Sequence, residues 1–378
     1  MIYNDFQDIK ISSLAFGAMR LPVIDNDDAR IDENAVQEMV DYAIANGVNY
    51  FDTAWGYHQG KSETVMGKAL NKHPRESFYL ASKFPGYDLS NMGKVKEIFE
   101  KQLEKCGVEY FDFYLYHNVC EMNIEQYLDK SFGIHEFLLE QKRNGRIRHL
   151  GFSVHGNLDT TKRFLNEYGK DMEFCQIQLN YIDYNFQNAK GKIELLNEWG
   201  IPVWVMEPVR GGKLAKLTEN DTQRLAELRP DESVVGWAFR FLQSVPEVKV
   251  VLSGMSNFEQ IKQNIATFSS FEPANEEERA TLFDIAKHMT SPNTLACTSC
   301  RYCTKYCPQQ INIPHIIELY NEDTFTGGGF RAPMAMMAID KEHQPSACIG
   351  CRSCEAVCPQ SLKIADMMSR FADSLANR

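Results

Sequence analysis

Short apolar runs that alternate with helical patterns from Leu14 to His288 predict an α/β fold with eight parallel strands, a (β/α)8 barrel. Two matching cysteine runs near the C-terminus predict a second, small and mainly helical domain. The first strand–helix turn, Phe16-Gly-Ala-Met-Arg-Leu-Pro, lacks the G-x-G-x-x-G that a doubly wound sheet would present there, which favours the barrel.

The elements follow in order. Residues 14–19 read as a buried strand. Ala35, Val36, Met39, Val40, Ala43 and Ile44 share one helical face over 33–46, and Gly47 supplies the C-terminal stop. Strands are expected at 49–53, 78–83, 111–117, 147–153, 174–180, 202–206 and 248–252. Helices are expected between them at 62–70, 93–106, within 124–144, and at 158–168, 190–199 and 233–242, with further helices at 258–267 and 276–288. Pro292 marks the junction, so the expected domains are 1–290 and 291–378. In the second domain, a helix is expected from Ile313 with Pro314 near its start, then a loop over 323–331 and a short Met-rich helix over 332–339.

The cysteines of that domain read C-T-S-C-R-Y-C-T-K-Y-C-P from Cys297 and C-I-G-C-R-S-C-E-A-V-C-P from Cys348. Both are C-x2-C-x2-C-x3-C-P, the run that wraps an iron–sulfur cube with three closely spaced thiolates and sends the fourth to a neighbouring cluster. On that pattern one [4Fe-4S] cluster takes Cys297, Cys300, Cys303 and Cys358, and the other takes Cys348, Cys351, Cys354 and Cys307. Zinc prefers paired C-x2-C knuckles, and disulfides need an oxidising compartment. The link between the runs is longer than in a compact ferredoxin, which points to a helical two-cluster domain. Cys106, Cys120 and Cys175 lie outside the runs and are expected to be buried thiols.

The net charge of −11 excludes a nucleic-acid role driven by electrostatics. Residues 291–378 carry eight Lys/Arg against eight Asp/Glu, so the acidity belongs to the first domain. No apolar run is long enough to span a membrane, and the N-terminus has no signal-peptide pattern, so a cytoplasmic setting is expected.

Catalytic groups of a barrel sit where its strands end. The ends of the second, third and fourth predicted strands carry Asp52, with Tyr57 in the loop beyond it, then Lys83, then His117. These types suit carbonyl reduction. Hydride arriving at a carbonyl carbon leaves charge on the oxygen, which a phenol can protonate. A free phenol titrates near ~10, and an adjacent ammonium lowers that value. A carboxylate holds the lysine charged, and a histidine can hydrogen-bond the carbonyl oxygen.

The stretch Phe51-Asp-Thr-Ala-Trp-Gly-Tyr-His-Gln-Gly-Lys-Ser-Glu-Thr-Val-Met-Gly-Lys-Ala-Leu resembles the signature of the aldo-keto reductase superfamily, whose Asp-Tyr-Lys-His tetrad matches Asp52, Tyr57, Lys83 and His117. The resemblance covers roughly residues 10–270. It implies hydride transfer from NADPH to an aldehyde or ketone, with Tyr57 as general acid, Lys83 as its tuner, Asp52 as partner of Lys83, and His117 as substrate orienter. It also implies nicotinamide contacts at Ser153, Gln178 and Met206, and adenosine-phosphate contacts at Ser256, Gln260 and Asn264. The chain departs from the family at Val154, where Asn is usual, at Met206, where an aromatic ring is common, and at Gly254 and Gln260, where a basic pair is frequent. NADP is therefore the expected nucleotide and NAD its alternative, with Arg210 and Lys213 as other candidates for phosphate. Trp55, Phe84, Asn118, Val119 and Cys120 flank the tetrad and are candidate pocket residues. The whole chain resembles bacterial aldo-keto reductases that carry a C-terminal two-cluster ferredoxin domain.

A hydride carries two electrons and a cluster moves one, and no flavin site is legible in the sequence. One reading is that the tail exchanges electrons with a flavoprotein or ferredoxin. A second makes the chain a non-catalytic electron carrier or redox sensor with a nicotinamide-binding barrel. A third makes the clusters purely structural.

Overall fold

The computed structural model describes residues 1–290, 293–297, 301–358 and 360–378, without the Tyr302 side chain. Pro292, the expected junction, and Cys300, an expected cluster ligand, lie outside the described residues. The chain forms two compact units, Met1–Phe283 and Asp284–Arg378.

The first unit holds ten strands: β1 (Tyr3–Phe6), β2 (Ile9–Ser12), β3 (Leu14–Gly17), β4 (Tyr50–Asp52), β5 (Tyr79–Phe84), β6 (Phe111–Val119), β7 (Ile147–Val154), β8 (Cys175–Gln178), β9 (Val203–Met206) and β10 (Val248–Gly254). β3 to β10 close into a barrel in chain order, β10 returning to β3, with every pairing parallel. The near-continuous apolar runs reflect strands buried on both faces. The helices between them start at side-chain caps: Asp32 accepts from the Ala35 N–H at 3.0 Å, Asn157 from Thr160 at 2.9 Å and Ser233 from Gly236 at 2.8 Å. Each supplies an acceptor that the first helical turn lacks.

β1 and β2 form an antiparallel hairpin that periodicity alone did not announce. Phe6, at the end of β1, packs into the barrel core with Ile11, Ala15, Tyr50, Ala81, Phe113, Leu115, Phe174, Trp204, Val250 and Leu252. Its ring centroid lies 5.0 Å from that of Trp204 and 5.8 Å from that of Phe113. The hairpin thus fills the barrel with one large ring. The segment expected as one long loop before residue 233 also contains the helix Glu219–Leu228, capped by Thr218. Cys106, Cys120 and Cys175 are all buried.

In the second unit, the helix from Ile313 continues to Thr326, past the residue where a loop was expected to begin. Asp323 belongs to the helix because its carboxylate is held by Arg378 at 2.6 and 2.7 Å, and Gly327, at φ +71°, makes the actual stop. The Met-rich helix spans Arg331–Met336, and a further helix, Ile364–Ala376, ends the chain. Ile313, Ile316, Ile317, Tyr320, Met336, Met367, Met368 and Phe371 form the core between these helices together with Cys303 and Cys354, and Cys297, Cys307, Cys348 and Cys358 pack against it.

Candidate functional site

Asp52 closes β4 and Lys83 stands one residue before the end of β5, paired in register close to it. Both side chains are buried. Lys83 Nζ donates to Asp52 Oδ1 at 2.5 Å and to the Thr53 carbonyl at 2.9 Å. The other carboxylate oxygen accepts from Gln176 Nε2 of β8 at 2.8 Å. Gln176 was absent from the sequence reading, because a buried glutamine inside a strand looks like any polar break in an apolar run. Lys83 Nζ lies 5.1 Å from the Tyr57 ring centroid, and the Tyr57 and His117 rings meet edge-on at 6.0 Å. The structure therefore brings all four tetrad positions together at one end of the barrel.

Burial sets the protonation of this group. It pushes the Lys83 ammonium down, while Asp52 beside it pushes up. It lifts the Tyr57 phenol well above 10, helped by the Asp52 and Glu207 carboxylates. Burial, then Lys83 and His155, hold His117 well below its usual value, so its imidazole is neutral at pH 7. Among the described residues its Nδ1 is buried without a hydrogen-bond partner.

A second polar network backs Lys83. Glu63, fully buried, accepts from Ser82 Oγ at 2.7 Å, Gln102 Nε2 at 2.6 Å and Lys105 Nζ at 2.6 Å. Gln102 also donates to the Lys83 carbonyl at 3.0 Å and accepts from Tyr114 at 2.5 Å. These bonds pin the β5 backbone from outside the barrel.

The expected nucleotide contacts lie at the ends of β7 to β10. Ser153 Oγ accepts from the Asn118 N–H at 2.8 Å, where β6 bulges and Asn118 takes φ +58°. Gln178 donates to Asp183 at 2.9 Å and pairs in register with Met206. Ser256 Oγ donates to the Arg20 carbonyl at 2.8 Å, and its N–H donates to Gln260 at 2.8 Å. Asn264 donates to Ser253 Oγ at 3.0 Å. Arg210 does not serve as a free phosphate ligand: its buried guanidinium grips Asp183 at 3.0–3.1 Å. Arg20, unnoticed in the sequence, instead lies along Gly254, where a Cβ would approach its side chain to 3.2 Å. It is half exposed and reaches Glu207 at 3.4 Å. The small Gly254 thus leaves room for a cation beside the Ser256 segment, a donor set that fits an anionic dinucleotide.

In the second unit the two cysteine runs repeat in three dimensions. Arg301 and Arg352, each following the second cysteine of its run, take φ +62° and +57°. Gln310 and Ser361, each third after the last cysteine, take φ +53° and +51°. Ile313 and Ile364 then start the two helices. One cavity is lined by Cys297, Cys303 and Cys358, the other by Cys348, Cys351, Cys354 and Cys307. Each run therefore lends its fourth cysteine to the other's cavity, the arrangement a two-cluster thiolate set needs.

The barrel, its strand-end tetrad and the thiol-lined cavities together define an oxidoreductase class. The aldo/keto reductase family model matches residues 13–286, and a 4Fe-4S dicluster domain matches 296–363. The chain belongs to the aldo/keto reductase family and carries a 4Fe-4S dicluster domain at its C-terminal end. It is similar to the "Uncharacterized oxidoreductase YqkF" of Bacillus subtilis (strain 168), 26% identical over 304 residues that cover 72% of this chain and 92% of the relative. It is also similar to the "NADH-specific methylglyoxal reductase" of Escherichia coli (strain K12), 24% identical over 59% of this chain and 79% of the relative. Among solved structures, aldo-keto reductase AKR11C1 from Bacillus halodurans in its holo form superposes with a TM-score of 0.62, at 25% identity, covering 76% of this chain and 97% of that one.

Proposed function

We propose that the barrel reduces an aldehyde or ketone with NADPH, or with NADH in its place, and that Tyr57 is the general acid. The observation that carries this is the convergence of Tyr57, Lys83, Asp52 and His117 at one barrel end. When bound, the nicotinamide supplies the hydride for the carbonyl carbon. Tyr57, kept protonated by its surroundings, gives its Oη proton to the carbonyl oxygen as charge develops there. Lys83 offsets the phenolate that remains, and Asp52 holds Lys83 in place. Neutral His117 offers a hydrogen bond to the same oxygen without competing for the proton. Ser153, Gln178 and Met206 would hold the nicotinamide, and Ser256, Gln260, Asn264 and Arg20 the phosphates. The E. coli relative's printed name, with its NADH and its aldehyde, supports both the substrate class and the alternative nucleotide. Tyr57→Phe should abolish carbonyl reduction and leave nucleotide affinity unchanged; undiminished turnover would end the assignment.

Two [4Fe-4S] clusters are proposed on Cys297, Cys300, Cys303 and Cys358, and on Cys348, Cys351, Cys354 and Cys307, in the reducing cytoplasm. Their proposed role is electron exchange with a flavoprotein or ferredoxin, because a hydride donor does not readily split its electrons. The test is electron paramagnetic resonance of anaerobically reconstituted protein, given NADPH and then NADH without flavin. Clusters that stay oxidised while a carbonyl is turned over support a separate partner. A reduced-cluster signal means that electrons cross within the chain and overturns that role.

A further inference from the structure

The two cysteine runs build two like cavities whose rims differ. The cavity of Cys348, Cys351, Cys354 and Cys307 is also lined by Ile349, 61% exposed, and Tyr306, 56% exposed, and Cys351 is itself exposed. In the cavity of Cys297, Cys303 and Cys358, the exposed lining residues among those described are Arg301 and Gln360, both polar. Its cysteines lie deeper: Cys297 and Cys358 are half-buried and Cys303 is buried.

The difference is written into the repeat. Ile349 follows the first cysteine of its run, where the other run has Thr298. Tyr306 precedes the fourth cysteine of its run, where the other run has Val357, which is half-buried. Because the fourth cysteines cross over, both departures fall on the cavity of Cys351. Single exposed apolar side chains are ordinary surface, but two on one rim beside an exposed thiol form a patch that a partner can cover. Charge at this rim is largely settled within the chain. Arg352, the charged residue of the cavity lining, donates to Asp366 at 2.5 Å and to Glu355 at 3.1 Å. At the places of Glu355 and Asp366 the other run has Thr304 and His315. Lys305, exposed next to Tyr306, is a flanking cation.

We infer that the two thiolate sets serve different roles: Cys348, Cys351, Cys354 and Cys307 hold the cluster through which electrons enter or leave, and Tyr306 and Ile349 receive the carrier. The carrier that fits is a one-electron protein whose own centre lies within an apolar surface, with a carboxylate for Lys305. Electron transfer between proteins weakens steeply with distance, so the exposed side of Cys351 is where two centres can come close. One electron crosses there, lost by the carrier and gained by the cluster; no bond forms or breaks and no proton moves. The cluster of Cys297, Cys300, Cys303 and Cys358 exchanges with the carrier through the first. The inference rests on the electron-exchange reading above and locates it.

Two measurements on the full chain, with both clusters reconstituted, test this. In the first, wild-type protein is reduced with dithionite and the power saturation of its electron paramagnetic resonance is compared with and without chromium(III) oxalate, a paramagnet that stays in solvent. Cys351→Ser and Cys297→Ser assign the signals. The signal altered by Cys351→Ser should become much harder to saturate, and the other should shift far less. In the second, stopped-flow absorbance follows reduction of the clusters by reduced flavodoxin, a one-electron carrier protein, beside reduction by dithionite. Ile349→Ser and Tyr306→Ser remove apolar contact at exposed positions without adding charge. Each should slow reduction by flavodoxin roughly 3- to 10-fold, the worth of part of one apolar side chain, and leave the dithionite rate unchanged. Gln360→Ala, at the other rim, should leave both rates unchanged. Iron and sulfide contents equal to wild type show that the clusters are intact. An equal or larger shift of the Cys297 signal, unchanged flavodoxin rates in both Ser variants, or an equal loss in Gln360→Ala overturns the inference and leaves electron exchange standing. If neither flavodoxin nor ferredoxin reduces wild-type clusters that dithionite reduces, the electron-exchange reading fails, and the inference with it.

Discussion

Asp52→Asn tests what holds the centre of the site. The substitution keeps the size of the side chain and removes its charge. Lys83 would then face an amide, with the Thr53 carbonyl at 2.9 Å as its remaining partner of the two. Gln176 donates to the opposite oxygen and so favours the rotamer that turns the new NH2 group toward the ammonium. Breaking a buried pair by removing one partner costs about 3–5 kcal/mol. For a barrel of this size that corresponds to a fall in Tm of about 5–15 °C. Lys83 can escape part of the cost by releasing its proton, since burial already pushes it down. The pH dependence then has a definite sign. The unfolded chain keeps the lysine protonated up to ~10.4 while the variant's folded state does not, so its stability rises with pH. The gap to wild type should narrow between pH 7 and pH 10. The assay is thermal unfolding across that range, with Lys83→Met and the double variant Asp52→Asn/Lys83→Met completing a cycle. The double variant should cost less than the two single costs added. An additive cycle, or a single variant within 1 kcal/mol of wild type, would refute the coupling argued here.

Other consequences follow from the rest of the molecule. Burial pushes the Glu173 carboxyl up, but His149, Lys142, Gln7 and the Leu150 N–H donate to it and hold it at about 2. A carboxyl depressed from 4.5 to about 2 contributes about 3 kcal/mol above its unfolded pKa, and loses it as pH falls toward 2. Glu173→Gln should therefore lower the urea midpoint at pH 7, and the difference from wild type should shrink steadily below pH 4.5. Gly67→Ala would bring a Cβ to 2.4 Å from the Cys106 carbonyl oxygen and 2.7 Å from its Cα. The helices Ser62–Leu70 and Val95–Cys106 must then part, at about 1–3 kcal/mol, read as a loss in Tm. Cys307→Ser should alter the same cluster signal as Cys351→Ser and leave the signal altered by Cys297→Ser untouched; the reverse grouping would mean that the runs do not cross.

The barrel was legible because buried parallel strands leave apolar runs and surface helices leave a 3.6-residue stripe. The tetrad was legible because each member ends a strand or follows one. What stayed hidden depends on contacts between segments distant in sequence. Phe6 looks like one more exposed-end residue until the hairpin carries it into the core beside Trp204. Arg210 looks like a loop cation until Asp183 is seen beneath it. The helix from Ile364 could have been found: Cys297 to Ile313 and Cys348 to Ile364 are equal steps, so the first helix predicts the second. The burial that raises the Tyr57 phenol stayed hidden because sequence shows which charges are near but not how much water is excluded.

The same core bears on why the second unit carries clusters. Where a metal supplies most of the folding free energy, the chain around it has little else to bury. Here Ile313, Ile316, Ile317 and Tyr320 on one helix meet Met367, Met368 and Phe371 on another, and the Tyr320 and Phe371 rings lie 5.7 Å apart. Arg378 clamps Asp323, and the Asn321 side chain bonds both the N–H and the carbonyl of Leu295 at 2.7 and 2.8 Å. Helix packing and these ties give the unit contacts that do not depend on a metal ligand. Cys303 and Cys354 belong to that core, whereas Cys351 is exposed, and Tyr306 and Ile349 beside the same cavity are exposed too. A metal kept only as a staple gains nothing from an accessible rim, whereas electron exchange with another protein requires one. The exposed rim beside Cys351 supports the electron exchange proposed above over a purely structural role.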